Sequence, residues 1–292
     1  MKAQCRLSSR GLALTLMCWL ILALDAPASA QANSRTTEQL IDDLTQIDGQ
    51  SIGINSAGVY DGFLAEGTKG HFRGGVLGVG TPAAAPQIIE LVRRGPAALP
   101  ELLRHLNDAR PTKLAVGNDA KAKNRQIGVN VFMFMLLSDE YDPRILHDTN
   151  AITPTKSKNL HEVPFDGMYK VKIADVCFVI IGQIVNRNLY AVRYQPSAGL
   201  VINSPIEAPI LANEVKADWG NIDSNALKAS LLDDIRISYS PHPQDRTFSI
   251  RAHAFGALTR LRFYFPQTYE SLAGENLKMR RDFEAHHGDP YN

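Results

Sequence analysis

The sequence predicts a mainly α-helical domain carrying a small β-hairpin insertion. Three observations carry that expectation. The stretch DVCFVIIGQIVNRN (Asp175–Asn188) is apolar on nearly every helical face until its polar end, the mark of an interior helix. Two short amphipathic segments between Pro86 and Asn107 are joined at Gly95-Pro96, the chemistry of one helix ending and another starting. Between Pro111 and Leu137, two extended-type segments flank a polar, basic run from Asn118 to Gln126, which reads as a hairpin and its tip.

At the N-terminus, Lys2, Arg6 and Arg10 precede an apolar run from Leu12 to Leu24, and Ala28-Ser29-Ala30 follows. Charged start, apolar middle and small-residue site together predict a secretory signal peptide over residues 1–30, with the exported chain beginning near Gln31. Cys18 lacks the small residues that precede a lipoprotein cysteine. The expected location is the periplasm or the extracellular space. Removing Lys2, Arg6, Arg10 and Asp25 takes the net charge from +1 to about −1, which gives no electrostatic reason to expect nucleic acid or an anionic membrane as partner. Of the 3 cysteines only Cys177 lies outside the leader, so it forms no internal disulfide and reads as a small buried hydrophobe.

Residues 31–85 read as an N-terminal helix and a Gly-rich loop. In Thr37–Ile47, Leu40, Ile41, Leu44 and Ile47 share one helical face behind a capping-type threonine. From Asp48 to Pro82 the chain is rich in glycine, with Tyr60, Phe63 and Phe72 as isolated apolar anchors. A loop of that length in a compact domain is a candidate for function.

Residues 86–292 read as the helical domain, with the β-hairpin insertion near 112–137. Ile88, Ile89, Leu91 and Val92 form the first face of the helical pair, and Leu99, Leu102, Leu103 and Leu106 the second. Such an αα-hairpin must stack on neighbours to bury its faces. In the hairpin insertion, Lys113–Val116 and Val129–Met135 are the two arms, with a buried helix over Val131–Leu137 as the alternative for the second. Asp148–Phe165 reads as an exposed connection. Tyr169, Val171 and Ile173 alternate with Lys170 and Lys172, a short half-buried strand. Asp175 stands where a helix N-cap belongs, and Asn188 suits the left-handed cap at the far end. The apolar run of this helix is about 12 residues, short of the roughly 20 that cross a bilayer, so no stable membrane insertion is expected of the exported chain. Tyr190–Tyr194 reads as a strand. Ile206–Trp219, introduced by Pro205, and Ser224–Ile235 read as helices. Phe248–Phe265 is mixed, alternating like a strand as far as Ala252. Tyr269–His286 reads as a terminal helix.

The run ELVRRGPAALPELLRHLNDARPTKL (Glu90–Leu114) resembles a HEAT-type helical repeat. GVYDGF (Gly58–Phe63), DEYDPR (Asp139–Arg144), ADVCFVIIGQIVNR (Ala174–Arg187), AVRYQP (Ala191–Pro196) and INSP (Ile202–Pro205) extend the resemblance to exported bacterial HEAT-like proteins of an uncharacterised family. It implies a fold and no activity. With one hairpin and no second copy at a fixed period, the expected form is an irregular HEAT-like helical hairpin domain.

Local motifs lack the context their chemistry needs. Gly49-Gln50-Ser51-Ile52-Gly53 spells G-x-S-x-G, but a helix precedes it where a nucleophile elbow needs a strand. Gly62–Lys69 reverses the lysine and threonine of a phosphate-binding loop, and Gly78-Val79-Gly80 lacks the third glycine and the strand of a dinucleotide site. Both read as loop glycines, and no cofactor is expected. Glu284, His286, His287 and Asp289, or Asp139, Glu140 and Asp142, are oxygen and nitrogen donors without metal-site spacing, so no metal is expected. Arg187, Arg193, Tyr194 and Trp219 form the candidate binding group. Their simpler role is to satisfy helix-end carbonyls and to pack.

Two function classes follow. One is a protein-binding or scaffolding module of the cell envelope, its protein partner held by a helical surface and the 48–82 loop. The other is an enzyme, or a small-ligand or metal-binding protein, whose site is assembled from dispersed residues. A polar pocket with shifted carboxylates or histidines favours the second, and an exposed apolar patch the first.

Overall fold

The structure is a computed structural model. It describes residues 35–48, 63–66, 85–117, 161–163, 168–187, 189, 192–194, 200–202, 204–207, 209–237 and 247–288. The chain from Thr37 onward forms one unit, mainly helical with small antiparallel sheets. The signal-peptide expectation and the Val129–Leu137 arm lie outside the described residues.

Helix α1 (Thr37–Asp42) runs into a tight turn at Asp43–Gln46. Leu40, Ile41, Leu44 and Ile47 are all buried, as their spacing predicts. The helical hairpin forms from α2 (Pro86–Arg94) and α3 (Leu99–Arg104). Pro86 opens α2, where its missing N–H costs nothing, and a 3₁₀ turn at Gly95–Ala98 joins the pair. Ile88, Leu91, Val92, Leu99, Leu102, Leu103 and Leu106 line the core.

Strand β1 (Pro111–Gly117) follows, the first arm of the expected hairpin. Its observed partner is β3 (Met168–Lys172), antiparallel, with Pro111 opposite Lys172 and Val116 opposite Tyr169. The register shifts between Pro111 and Ala115. There the buried Thr112 hydroxyl donates to the Val171 carbonyl at 2.9 Å and accepts the Leu114 N–H at 3.1 Å. A side chain thus supplies hydrogen bonds where the ladder is broken.

Helix α4 (Ile173–Val185) is the interior helix, all 13 of its residues buried. It begins three residues earlier than expected, with Lys172 in place of Asp175 at the N-cap. Ile173 N–H donates to the Arg110 carbonyl at 2.9 Å and Ala174 N–H to the Asp108 carbonyl at 3.1 Å. Asp175 is not the N-cap but sits in the first turn, its Oδ2 accepting the Lys172 N–H at 2.8 Å. This is the returning half of a capping box. The left-handed residue at the far end is Asn186 (φ 60°, ψ 46°), two positions before Asn188. The chain then folds back so tightly that a Cβ on Gly182 would lie 2.5 Å from the Arg187 carbonyl oxygen and 2.9 Å from the Leu189 Cβ.

A second sheet pairs β2 (His161–Val163), β5 (Leu200–Ile202) and β4 (Val192–Tyr194) in the order β2-β5-β4, all antiparallel. β4 is the strand expected in YAVRY. β2 corrects the reading of 148–165 as wholly connection. Helix α5 (Pro209–Trp219) starts at Pro209 and not behind Pro205, because Pro205–Glu207 forms a turn in which the Ser204 hydroxyl accepts the Ile206 N–H at 3.3 Å.

Helix α6 (Ser224–Ile237) is capped by Asp223, whose Oδ1 accepts the Ala226 N–H at 2.8 Å. Helix α7 (Thr247–Tyr264) is continuous for 18 residues, which corrects the strand-like reading of its first part. Ala254, Phe255, Leu258 and Leu261 recur at helical spacing on its buried face. The expected terminal helix is two, α8 (Pro266–Glu270) and α9 (Gly274–Ala285). Arg280 of α9 donates to the Tyr269 and Glu270 carbonyls at 3.0 and 3.1 Å and stacks on the Tyr269 ring. It thereby serves the orphan end of α8. α7 packs against α6, and α4 touches α2, α3 and α6.

Candidate functional site

Among the described residues, the largest buried polar group gathers at the C-terminal end of α4, where α6 and α7 meet it. Asp234 of α6 stands on the apolar stripe of Leu227, Leu231 and Ile235 and is 0% exposed. Its Oδ2 accepts from Arg187 Nη1 at 2.7 Å and from the Asn186 amide at 2.9 Å, and His253 Nε2 lies 3.3 Å away. Burial works to raise the Asp234 pKa. The His253 contact and the Arg187 charge outweigh it and hold the carboxyl well below the usual carboxylate range.

Arg187 also donates to the Val185 and Asn186 carbonyls and to the Ser230 hydroxyl. Its guanidinium lies over the Trp219 ring, 5.3 Å from the centroid, a cation–π contact. The Asn186 side chain works in both directions. Its amide donates to Asp234 and to the His253 carbonyl, while its carbonyl accepts from Arg260 Nη1 at 3.0 Å. Arg260 of α7 further donates to the Gln183 carbonyl at 2.6 Å and to the Gly256 carbonyl at 2.9 Å. Gly256 is needed because any Cβ there would strike the Asn186 side-chain oxygen. Gln183 completes the group, its Oε1 accepting the Leu64 N–H at 3.1 Å.

Of the four candidate residues, the structure brings Arg187 and Trp219 into direct contact. Arg187 satisfies helix-end carbonyls, and Trp219 is buried, as the simpler reading has it. Arg193 and Tyr194 lie on β4, and their side chains are outside the described residues. Asp234, His253, Arg260 and Asn186 were not anticipated.

A second polar group sits at the opposite end of α4. The Tyr169 hydroxyl donates to Asp175 Oδ2 at 2.8 Å, and Lys172 pairs with Glu207. Burial, then the Asp175 carboxyl, pushes the Tyr169 hydroxyl up. A third group is half-exposed. His105 faces Asp108 through Nδ1 at 2.9 Å and Glu38 through Nε2 at 3.1 Å, and Arg110 joins Asp108 to Asp42. Burial opposes ionisation of Asp108, but the Arg110 and His105 hydrogen bonds bring its carboxyl down to about 2.

Cys177 is fully buried and its thiol is pushed up by that burial, the state of an inert core cysteine. Within Gly62–Lys69, Leu64–Glu66 form a 3₁₀ turn with Leu64 and Ala65 buried. Gly49–Gly53, Gly78–Gly80 and the Asp139–Asp142 carboxylates lie outside the described residues. In the C-terminal cluster, Glu284 accepts from Arg280 and Tyr269, and His286 Nδ1 faces the Asp282 carbonyl at 2.7 Å. Among the described residues no group of His, Cys, Asp and Glu is arranged to hold a metal, and no helix is long and apolar enough to cross a membrane.

The fold and its polar groups define a mainly α-helical domain braced by buried charges. Comparison with family models, with curated proteins and with solved structures gives no match.

Proposed function

We propose that the chain is an exported protein-binding or scaffolding module of the bacterial cell envelope. Phe263, near the end of α7, carries the reading. It is the one large apolar side chain exposed among the described residues, at 37%. Its ring is held edge-on by Phe63 and Tyr264, with centroids 5.4 and 5.2 Å away. A ring fixed in this way offers contact area to a partner at little cost in side-chain entropy. Phe63 opens the buried turn inside the 48–82 loop, and Arg93 Nε holds that turn through the Ala65 carbonyl at 2.9 Å. The exposed Arg262–Glu66 pair borders the rings. The aromatic surface therefore lies beside residues 63–66 of the expected binding loop. The leader pattern at residues 1–30 supports export, and the resemblance to HEAT-like proteins supports a surface used for binding.

An enzyme built from dispersed residues draws on Arg187, Asp234 and His253. Their polar atoms are turned toward one another, which suits bracing better than turnover.

Affinity capture from envelope extract of the source organism, with wild type and Phe263→Ser as baits, tests the proposal. A protein retained by wild type and lost with Phe263→Ser is the expected result. Retention of nothing, or of the same proteins by both baits at equal bait stability, overturns it.

A further inference from the structure

Asp175 is fully buried, yet among the described residues no cation pairs with it. Its two oxygens differ. Oδ2 accepts the Tyr169 O–H and the Lys172 N–H, each at 2.8 Å. Oδ1, equally buried, accepts no hydrogen bond. The nearby ammonium of Lys172 is committed to Glu207. Such surroundings disfavour a charge. An ionised carboxylate without a counter-ion loses its hydration and recovers little, whereas the neutral acid keeps both accepted hydrogen bonds on Oδ2.

We propose that Asp175 is held as a neutral carboxylic acid, protonated on Oδ1, and that it forms a pH-sensitive lock joining β3, the start of α4 and the 204–207 turn. The lock is closed while the acid is protonated and loosens as the pH rises. It stands apart from the binding reading, since Asp175 and Phe263 share no contact on which either depends.

Among the described residues, the charged and titratable groups facing the corner act as follows. Burial raises the Asp175 pKa, against the pull of the Ser204 hydroxyl, the Lys172 N–H, the Tyr169 hydroxyl and the Lys172 charge. Tyr169 stays neutral under the same burial. Glu207 neutralises Lys172. On the side of the 108–110 segment, Asp108 and Arg110 neutralise each other. Cys177, two residues along α4, is a neutral thiol. The Ser204 hydroxyl, fully buried, acts on the carboxyl from the 204–207 turn. The first N–H groups of α4 are already spent on the Arg110 and Asp108 carbonyls, so the helix end has little left with which to stabilise a carboxylate.

The folded state holds a proton that the unfolded chain gives up near an ordinary carboxylate pKa. Stability from this group is therefore complete at acid pH and falls as pH rises through the folded pKa. Asp175→Asn imitates the neutral acid. Its side-chain oxygen can take both donors, and its NH₂ replaces the protonated oxygen.

The test is urea unfolding of the full chain and of Asp175→Asn from about pH 3, below the unfolded carboxylate pKa, to about pH 9, where one linked proton changes the folding constant by up to about tenfold per pH unit between the two pKa values. Wild type should lose stability relative to Asp175→Asn as the pH rises, with the two alike at the acid end. Hydrogen exchange at the Ile173 and Ala174 amides should accelerate with pH beyond its intrinsic base dependence in wild type and not in Asp175→Asn. Parallel pH curves, or Asp175→Asn much weaker than wild type at acid pH, overturn the lock. If Asp175→Asn does not fold, infrared spectroscopy of wild type labelled at aspartate carboxyls decides. A protonated-carboxyl band persisting at neutral pH supports the proposal, and carboxylate bands alone overturn it.

Discussion

Arg260 Nε donates to the main-chain carbonyl of Gln183 at 2.6 Å, across 77 positions of sequence. A side chain of α7 thereby completes the last turn of α4, whose own N–H donors have run out. The same guanidinium holds Asn186 in place, and Asn186 holds Asp234. One arginine links three helices.

Replacing Arg260 by methionine keeps much of the stem and removes the donors. The Gln183 and Gly256 carbonyls and the Asn186 side-chain oxygen lose that partner in a buried site. At about 1–3 kcal/mol for each unsatisfied buried group, and with partial relaxation, the expected loss is about 2–4 kcal/mol in urea unfolding. Arg260→Lys should recover only part of it, because one ammonium does not span the same fork.

Asp234→Ala leaves Arg187 buried beside a missing carboxylate. Removing one partner of a buried pair costs about 3–5 kcal/mol, and chemical denaturation of the variant should show a loss of that order.

The same residue sets an acid limit. Its folded pKa is depressed, so its stabilisation is present above the unfolded carboxylate pKa and is lost as pH falls through the folded one. In acid titrations followed by circular dichroism, Asp234→Asn should start less stable than wild type at neutral pH. The gap should narrow as the pH drops below the ordinary carboxylate range. A gap that stays constant would show that Asp234 does not carry its charge into the fold.

Gly182→Leu places a side chain against the Arg187 carbonyl and Leu189. Both lie on the returning chain, which must shift to admit it. Overpacking of this kind costs about 1–3 kcal/mol or more, and the melting temperature should drop by several degrees. A value within about 2 °C of wild type would argue against the tight return at Asn186–Leu189.

The helices were legible where periodicity and punctuation agreed. Leu99, Leu102, Leu103 and Leu106 announce α3, and Gly95-Pro96 marks the turn before it. Boundaries were less legible because tertiary partners decide them. α4 starts at Ile173 since the Arg110 and Asp108 carbonyls reach its first N–H groups, and α8 ends where Arg280 takes its carbonyls. Of the polar group, Arg187 and Trp219 were legible as neighbours of the apolar helix. Asp234 and Arg260 left a fainter signal, a charge on an apolar stripe between Leu231 and Ile235, and between Leu258 and Leu261. A charge in such a position calls for a buried partner, but spacing alone does not name one 47 or 74 residues away.

The complete burial of α4 bears on how the domain can be divided. A linear stack of repeats tolerates removal of an end unit, since each unit leans only on its neighbours. Here the central helix borrows its covering from α2 and α3 before it and from α6 after it. Trimming the chain from either side of α4 would expose an apolar cylinder with no polar face to turn outward. Fragments that keep α4 but lack either set of covering helices should therefore aggregate, and the domain is to be expressed, permuted or fused as a whole.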